Sequence, residues 1–201
     1  MPAKRRGKEM AGSSELLMRP TGRIFSLGAI VYTCPDMQER RARKNYVEKD
    51  LAGAELEDIF FETCSFIATD LTDARLVGVT FEGCKLIGVD FRKCCAFPAI
   101  DMQFFNCVLD GCNFSDLSLK RQKFVSCDLR RCVFLRADLT DADFSHSDLD
   151  ESIFHECDLR RADFSRARNY LVDPNGNKIA GAKFSLPEAI SLLRGFEIVL
   201  R

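Results

Sequence analysis

The sequence predicts an all-β chain that turns a corner every five residues and stacks on itself as a solenoid. Three observations predict this. First, a Leu or Phe recurs at every fifth position from Leu51 to Phe91, and again in a shifted frame from Phe104 to Phe164. A period of five fits neither a helix nor a flat strand, whose periods are 3.6 and 2. Second, the residue two before each of these centres is mostly small or apolar, as in Ala54, Cys64, Ala74, Cys84, Cys107, Cys112, Ala137 and Ala162. It would point inward beside the large one, while the other three positions are mostly polar. Third, outward residues 20 apart alternate in charge: Asp110, Arg130, Asp150; Asp116, Arg136, Glu156; Arg121, Asp141, Arg161. Four corners per coil would place such residues one strand spacing, ~4.8 Å, apart.

Residues 1–44 lack the period and carry ten Lys or Arg against four Asp or Glu. They read as a basic extension, disordered or reflecting a misassigned start, because Met37 stands just before the ordered pattern. The repeat body is expected over 45–184. Between Phe91 and Phe104 the frame slips by three residues, and Pro98 predicts a loop over 94–103 with Phe97, Pro98 and Asp101 as contact candidates. Phe and Leu alternate from Phe104 to Phe164, which puts Phe on two opposite sides. After the turn "DPNG" (173–176), Ile179 and Phe184 return to frame. Residues 185–201 then read as a short helix and apolar tail. Ser185 and Glu188 form a capping box, and Gly195 is a stop. Leu186, Ile190, Leu193, Phe196, Ile198 and Leu200 offer an apolar surface larger than a cap needs, which points to a homodimer interface.

Ten Cys is a high count. Eight of them (64, 84, 94, 107, 112, 127, 132 and 157) follow the inward small position, so they read as buried free thiols and not as metal ligands or disulfides. The net charge of −1 hides a basic tail and an acidic body. Residues 138–158 hold eight acids and no Lys or Arg. Asp128/Asp148, Asp138/Asp158 and Asp143/Asp163 stack as like charges, with a spacing and sign that roughly imitate a phosphate backbone. Lys120, Arg121, Lys123, Arg130, Arg131 and Arg136 confine that imitation to part of the rod. An enzyme is not expected: His146 and His155 are the only histidines, both outward, and no phosphate loop or nucleophile motif appears. No catalytic residue, metal or cofactor is assigned. No apolar run approaches the ~20 residues of a membrane helix.

Units such as "ADLTD", "ADFSH", "SDLDE" and "CDLRR" resemble the pentapeptide-repeat family, and the resemblance covers roughly residues 46–184. It implies a right-handed quadrilateral β-helix with four repeats per coil. The C-terminal "NYLVDPNGNKIAGAKFSLPEAISLL" resembles the topoisomerase-protecting members, the Qnr, MfpA and AlbG group, and most closely the albicidin-resistance branch. That resemblance implies a cytoplasmic, dimeric DNA mimic. Such a protein binds DNA gyrase, a type II topoisomerase, protects it from a drug or toxin, and does not itself bind DNA. The matching positions are the acidic faces (Asp128, Asp138, Asp143, Asp148, Asp158, Asp163), the loop 94–103 and the module 185–201. The alternative is a generic repeat scaffold for another protein partner.

Overall fold

The computed structural model describes residues 25–27, 30–32, 39–47, 51–96 and 100–196. The chain divides into two units, 1–36 and 37–201. In the first, Phe25–Leu27 and Ile30–Tyr32 pair antiparallel. The second is a four-sided β-helix of short parallel strands. Its ladder begins at Glu39–Ala42, which pairs with Ile59–Glu62, so the first coil starts a few residues before the expected boundary at 45.

Residues 20 apart are ladder partners, as in Leu56 with Leu76, Phe66 with Leu86, and Phe134 with Phe154. Five residues per side follow directly. Numbered along the chain, the first side is centred on Phe91, Phe114, Phe134 and Phe154, the second on Leu119, Leu139 and Leu159. The third is centred on Phe81, Phe104, Phe124, Phe144 and Phe164, the fourth on Leu86, Leu109, Leu129 and Leu149. Every one of the Leu and Phe centres picked out by the period is buried. The Phe columns do occupy opposite sides. Within a column the rings stack, for example Phe114 on Phe134 at 5.1 Å. Between columns they meet edge to face across the axis, as Phe114 meets Phe124 at 5.4 Å. Both are the geometries that the ring quadrupole favours.

Most corners among the described residues are made by a residue in the left-handed region, including Asp116, Arg131, Arg136, Asp141, His146, Glu151, Glu156 and Arg161, with φ between 53° and 62°, while the corner after Phe91 is a 3-10 turn. The turn swings the corner N–H along the rod axis, where it donates to the next coil: Asp116 N to Leu135 O at 2.8 Å, Arg136 N to His155 O at 2.9 Å. At Gly78 (φ +65°) glycine is needed for a second reason, since a Cβ would lie 2.4 Å from Asp58 Oδ1.

The frame slip is absorbed in one coil. Phe81 pairs with Phe104 and Leu86 with Leu109, both 23 apart, after which the offset returns to 20. Arg75 still bridges Cys95, so the three extra residues leave the ladder between Cys95 and Met102. A second slip follows Phe164. Val172, not residue 174, bridges Phe154, and Tyr170 and Val172 fill the core at 3% and 1% exposure.

The inward small positions have a role beyond filling space. Where the preceding turn leaves a backbone N–H without a local acceptor, the residue one coil later supplies one. Cys64 N donates to Cys84 Sγ, Met102 N to Gln122 Oε1, Cys127 N to Ser147 Oγ, Cys132 N to Ser152 Oγ and Cys157 N to Asn177 Oδ1. Where the turn closes on itself, as Ala142 N does on Leu139 O, the next residue is plain Ala162. The thiols in turn donate to carbonyls, Cys84 to Phe61 O and Cys132 to Leu109 O. The eight inward cysteines are free and buried, and Cys95 is exposed. Burial pushes the thiols of Cys107 and Cys157 up, and at Cys84 and Cys132 a hydrogen bond to a neighbouring thiol does so foremost, with burial adding to it. These four thiols stay protonated and inert. Cys34 lies outside the described residues.

Candidate partner-binding faces

The six candidate aspartates fall on three adjacent sides. Asp138 and Asp158 bridge on the second, Asp143 and Asp163 on the third, Asp128 and Asp148 on the fourth. Each precedes an inward Leu or Phe, so its carboxylate emerges at the start of a turn. There it first serves the backbone: Asp138, Asp143, Asp148, Asp158 and Asp163 accept the N–H two residues on, from Thr140, Ser145, Asp150, Arg160 and Ser165. This is the Asx turn that makes Asp favourable at such a position.

Cations then take most of the remaining lone pairs. Arg130 forks onto Asp128, Lys120 reaches Asp138 at 3.1 Å, Arg168 reaches Asp148 at 3.5 Å, Arg160 forks onto Asp158, and Lys183 reaches Asp163 at 3.0 Å. Among the described residues Asp143 is the one of the six outside an ion pair. The Arg160 guanidinium holds the Asp158 carboxyl below the usual range. Burial raises Asp138 and Asp163, but bonds from Thr140 and Lys120, and from Ser165 and Lys183, outweigh it and hold both low. Like-charge stacks read from the sequence are thus interleaved with cations. In two of the expected ladders one of the two steps forms an ion pair, Asp116 with Arg136 and Asp141 with Arg161, each forked at 2.7 and 2.8 Å. In the third, Asp110 is taken by Arg131, because Arg130 turns back onto Asp128.

Phe97 and Pro98 lie outside the described residues. Asp101 is exposed and accepts from Gln103 Nε2 at 3.3 Å. The break also holds a residue the sequence reading missed, Gln122. It is 4% exposed, with Nε2 donating to Ile100 O at 3.4 Å while Oε1 takes the Met102 N–H at 2.9 Å. The signal was a long polar residue at an inward position.

The C-terminal element is a 3-10 helix over Glu188–Phe196. Its three-residue repeat puts Ile190, Leu193 and Phe196 on one face. Leu192, outside the predicted apolar set, packs on the core instead. Leu186, Ile190 and Phe196 are exposed, at 78%, 46% and 51%. Ile198 and Leu200 lie outside the described residues. No cluster of three or more metal-ligating side chains occurs among the described residues, and no described helix is long and apolar enough to cross a membrane.

A model of the pentapeptide repeat region matches residues 100–171, and a model of pentapeptide repeats (8 copies) matches 50–83 and 64–96. No curated protein matches the chain. Among solved structures, QnrB1, a plasmid-mediated fluoroquinolone resistance protein, is 16% identical over 82% of this chain and 98% of its own, with a TM-score of 0.40. HetL, involved in heterocyst differentiation regulation in the cyanobacterium Nostoc, is 16% identical over 72% of this chain and 84% of its own, with a TM-score of 0.25. These likenesses are too distant to carry a function across.

Proposed function

Since the chain belongs to the pentapeptide-repeat family, whose rods present outward residues at fixed spacing, we propose that this one is a DNA mimic that binds DNA gyrase and protects it from a gyrase-directed drug or toxin. The observation that carries the reading is the stacking of Asp128/Asp148, Asp138/Asp158 and Asp143/Asp163 on three adjacent sides. The third-side ladder has seven steps from Arg41 to Phe184, or about 34 Å at one strand spacing each, close to one turn of duplex DNA. The cations on the aspartates are exposed, and such pairs are worth about 0–1 kcal/mol. Lys and Arg on a DNA-gripping surface can therefore displace them at little cost. The resemblance of residues 169–193 to the topoisomerase-protecting group, nearest its albicidin-resistance branch, supports the same partner. Two copies joined through Leu186, Ile190, Leu193 and Phe196 would double the rod, and the site of action would be the cytoplasm.

A gyrase supercoiling assay with purified protein tests this, with and without albicidin or a quinolone. Inhibition of supercoiling, or rescue of drug-poisoned gyrase, is expected. The cation pairing favours a second reading, a scaffold for a different protein partner, and unchanged supercoiling under every condition would establish that reading over the first.

A further inference from the structure

The first side carries a feature that gyrase binding does not use. Its outward residues on two successive coils read Arg131, Val133, Leu135, Arg136, and then Glu151, Ile153, His155, Glu156. Val133 lies beside Ile153 and Leu135 beside His155 in the parallel ladder. The bridge from Phe154 to Val172 sets Leu171 next to Ile153. Ile153 and Leu171 are 51% and 56% exposed. The other three sides carry their aspartates at the column this apolar row occupies. Arg131 and Glu151 stand on one edge of the side, Arg136 and Glu156 on the other, all at left-handed corners. An apolar centre is thus framed by two arginines on one coil and two glutamates on the next.

This pattern is complementary to itself in one arrangement. Two copies laid side against side obey a two-fold axis that runs along the rod or along the strands. The first puts Arg131 against Arg136 and Glu151 against Glu156, which repels. The second sets the rods antiparallel and puts Arg131 opposite Glu151 and Arg136 opposite Glu156, giving four ion pairs around Val133 and Ile153. Sheet faces pack about 10 Å apart, a gap that Val, Leu and Ile side chains fill while the longer edge residues reach across. The charges are available. Among the described residues Glu151 is in no ion pair, and Glu156 has only His155 at 3.8 Å. Arg131 and Arg136 touch Asp110 and Asp116 but have donors to spare.

We infer that the first side is a self-association surface through which a second copy of this chain docks antiparallel, distinct from the C-terminal surface. The patch spans few coils, so the contact is weak and depends on concentration.

Sedimentation equilibrium of the full-length chain tests it, from about 5 to about 500 µM. Every sample carries Ile190→Glu and Phe196→Glu so that the C-terminal surface contributes nothing. Mass should rise with concentration, and less so at high salt. Glu151→Arg with Glu156→Arg should weaken association at least about tenfold, and Ile153→Asp likewise. Adding Arg131→Glu and Arg136→Glu to the first pair restores complementarity and should restore association. That recovery would exclude misfolding as the cause of the loss. A constant single-chain mass, association indifferent to these changes, or no recovery in the fourfold variant would each overturn the inference.

Discussion

Gln122→Met tests the account of the frame slip. Methionine matches glutamine in length and nearly in volume, so no cavity opens, and the change removes an acceptor and a donor. Met102 N loses its bond to Oε1 at 2.9 Å and Ile100 O its longer one at 3.4 Å. Neither finds a substitute. As at Cys127 and Cys132, the Met102 N–H is met by a side chain one coil later, whereas the Gln122 N–H closes on Leu119 O. An orphaned buried donor costs about 1–3 kcal/mol, and added apolar burial returns up to about 1 kcal/mol. The expected net loss is about 1–2 kcal/mol, or roughly 2–8 °C in melting temperature for a chain of this size. Far-UV circular dichroism would follow the melt, and amide exchange at Met102 would locate the loss. A variant that melts with the parent, with Met102 exchange unchanged, would refute the claim that Gln122 repairs the break.

Reversing Asp138, Asp143 and Asp158 to Lys should leave the circular dichroism spectrum intact and weaken gyrase binding by about tenfold or more; unchanged affinity would move the contact elsewhere. Ile190→Glu with Phe196→Glu should yield a folded single chain by sedimentation at low concentration, and a persistent dimer there would reject the C-terminal surface. Acid should destabilise the rod. Asp90, Asp116, Asp141 and Asp158 are held low chiefly by bonds from Arg92, Arg136, Arg161 and Arg160. A depressed carboxyl stabilises the fold above its unfolded value, near 3.9, and loses that contribution as pH falls below it. The melting temperature should therefore drop between about pH 4.5 and 2.5, and a flat profile there would contradict the pairing.

The winding was legible because one requirement repeats without exception. Each side must bury one large side chain, and Leu or Phe at every fifth position announces it. The inward small residues were legible by size but not by task. That Ser147 accepts from Cys127 N while Ala162 need accept from nothing depends on which turns close on themselves, and this is decided a coil away. Charge was the least legible. Arg130 lies 20 residues from both Asp110 and Asp150, yet it folds back to Asp128, two residues away on its own coil. At the C-terminus an α-helical spacing was expected. The tighter 3-10 winding turned Leu192 to the core and gathered Ile190, Leu193 and Phe196 outside.

The left-handed corners divide labour in a way that bears on how such a chain can change. A corner side chain takes no part in the core, and its backbone bond is made by the N–H whatever residue stands there. Along one edge the left-handed corners read Asp73, Asp116, Arg136, Glu156, with Lys93 in a 3-10 turn taking the place between the first two, a string of signs written at one character per coil. Substitution can rewrite that string while the scaffold beneath stays the same. A rod built this way can be readdressed to a new partner by editing its edges alone.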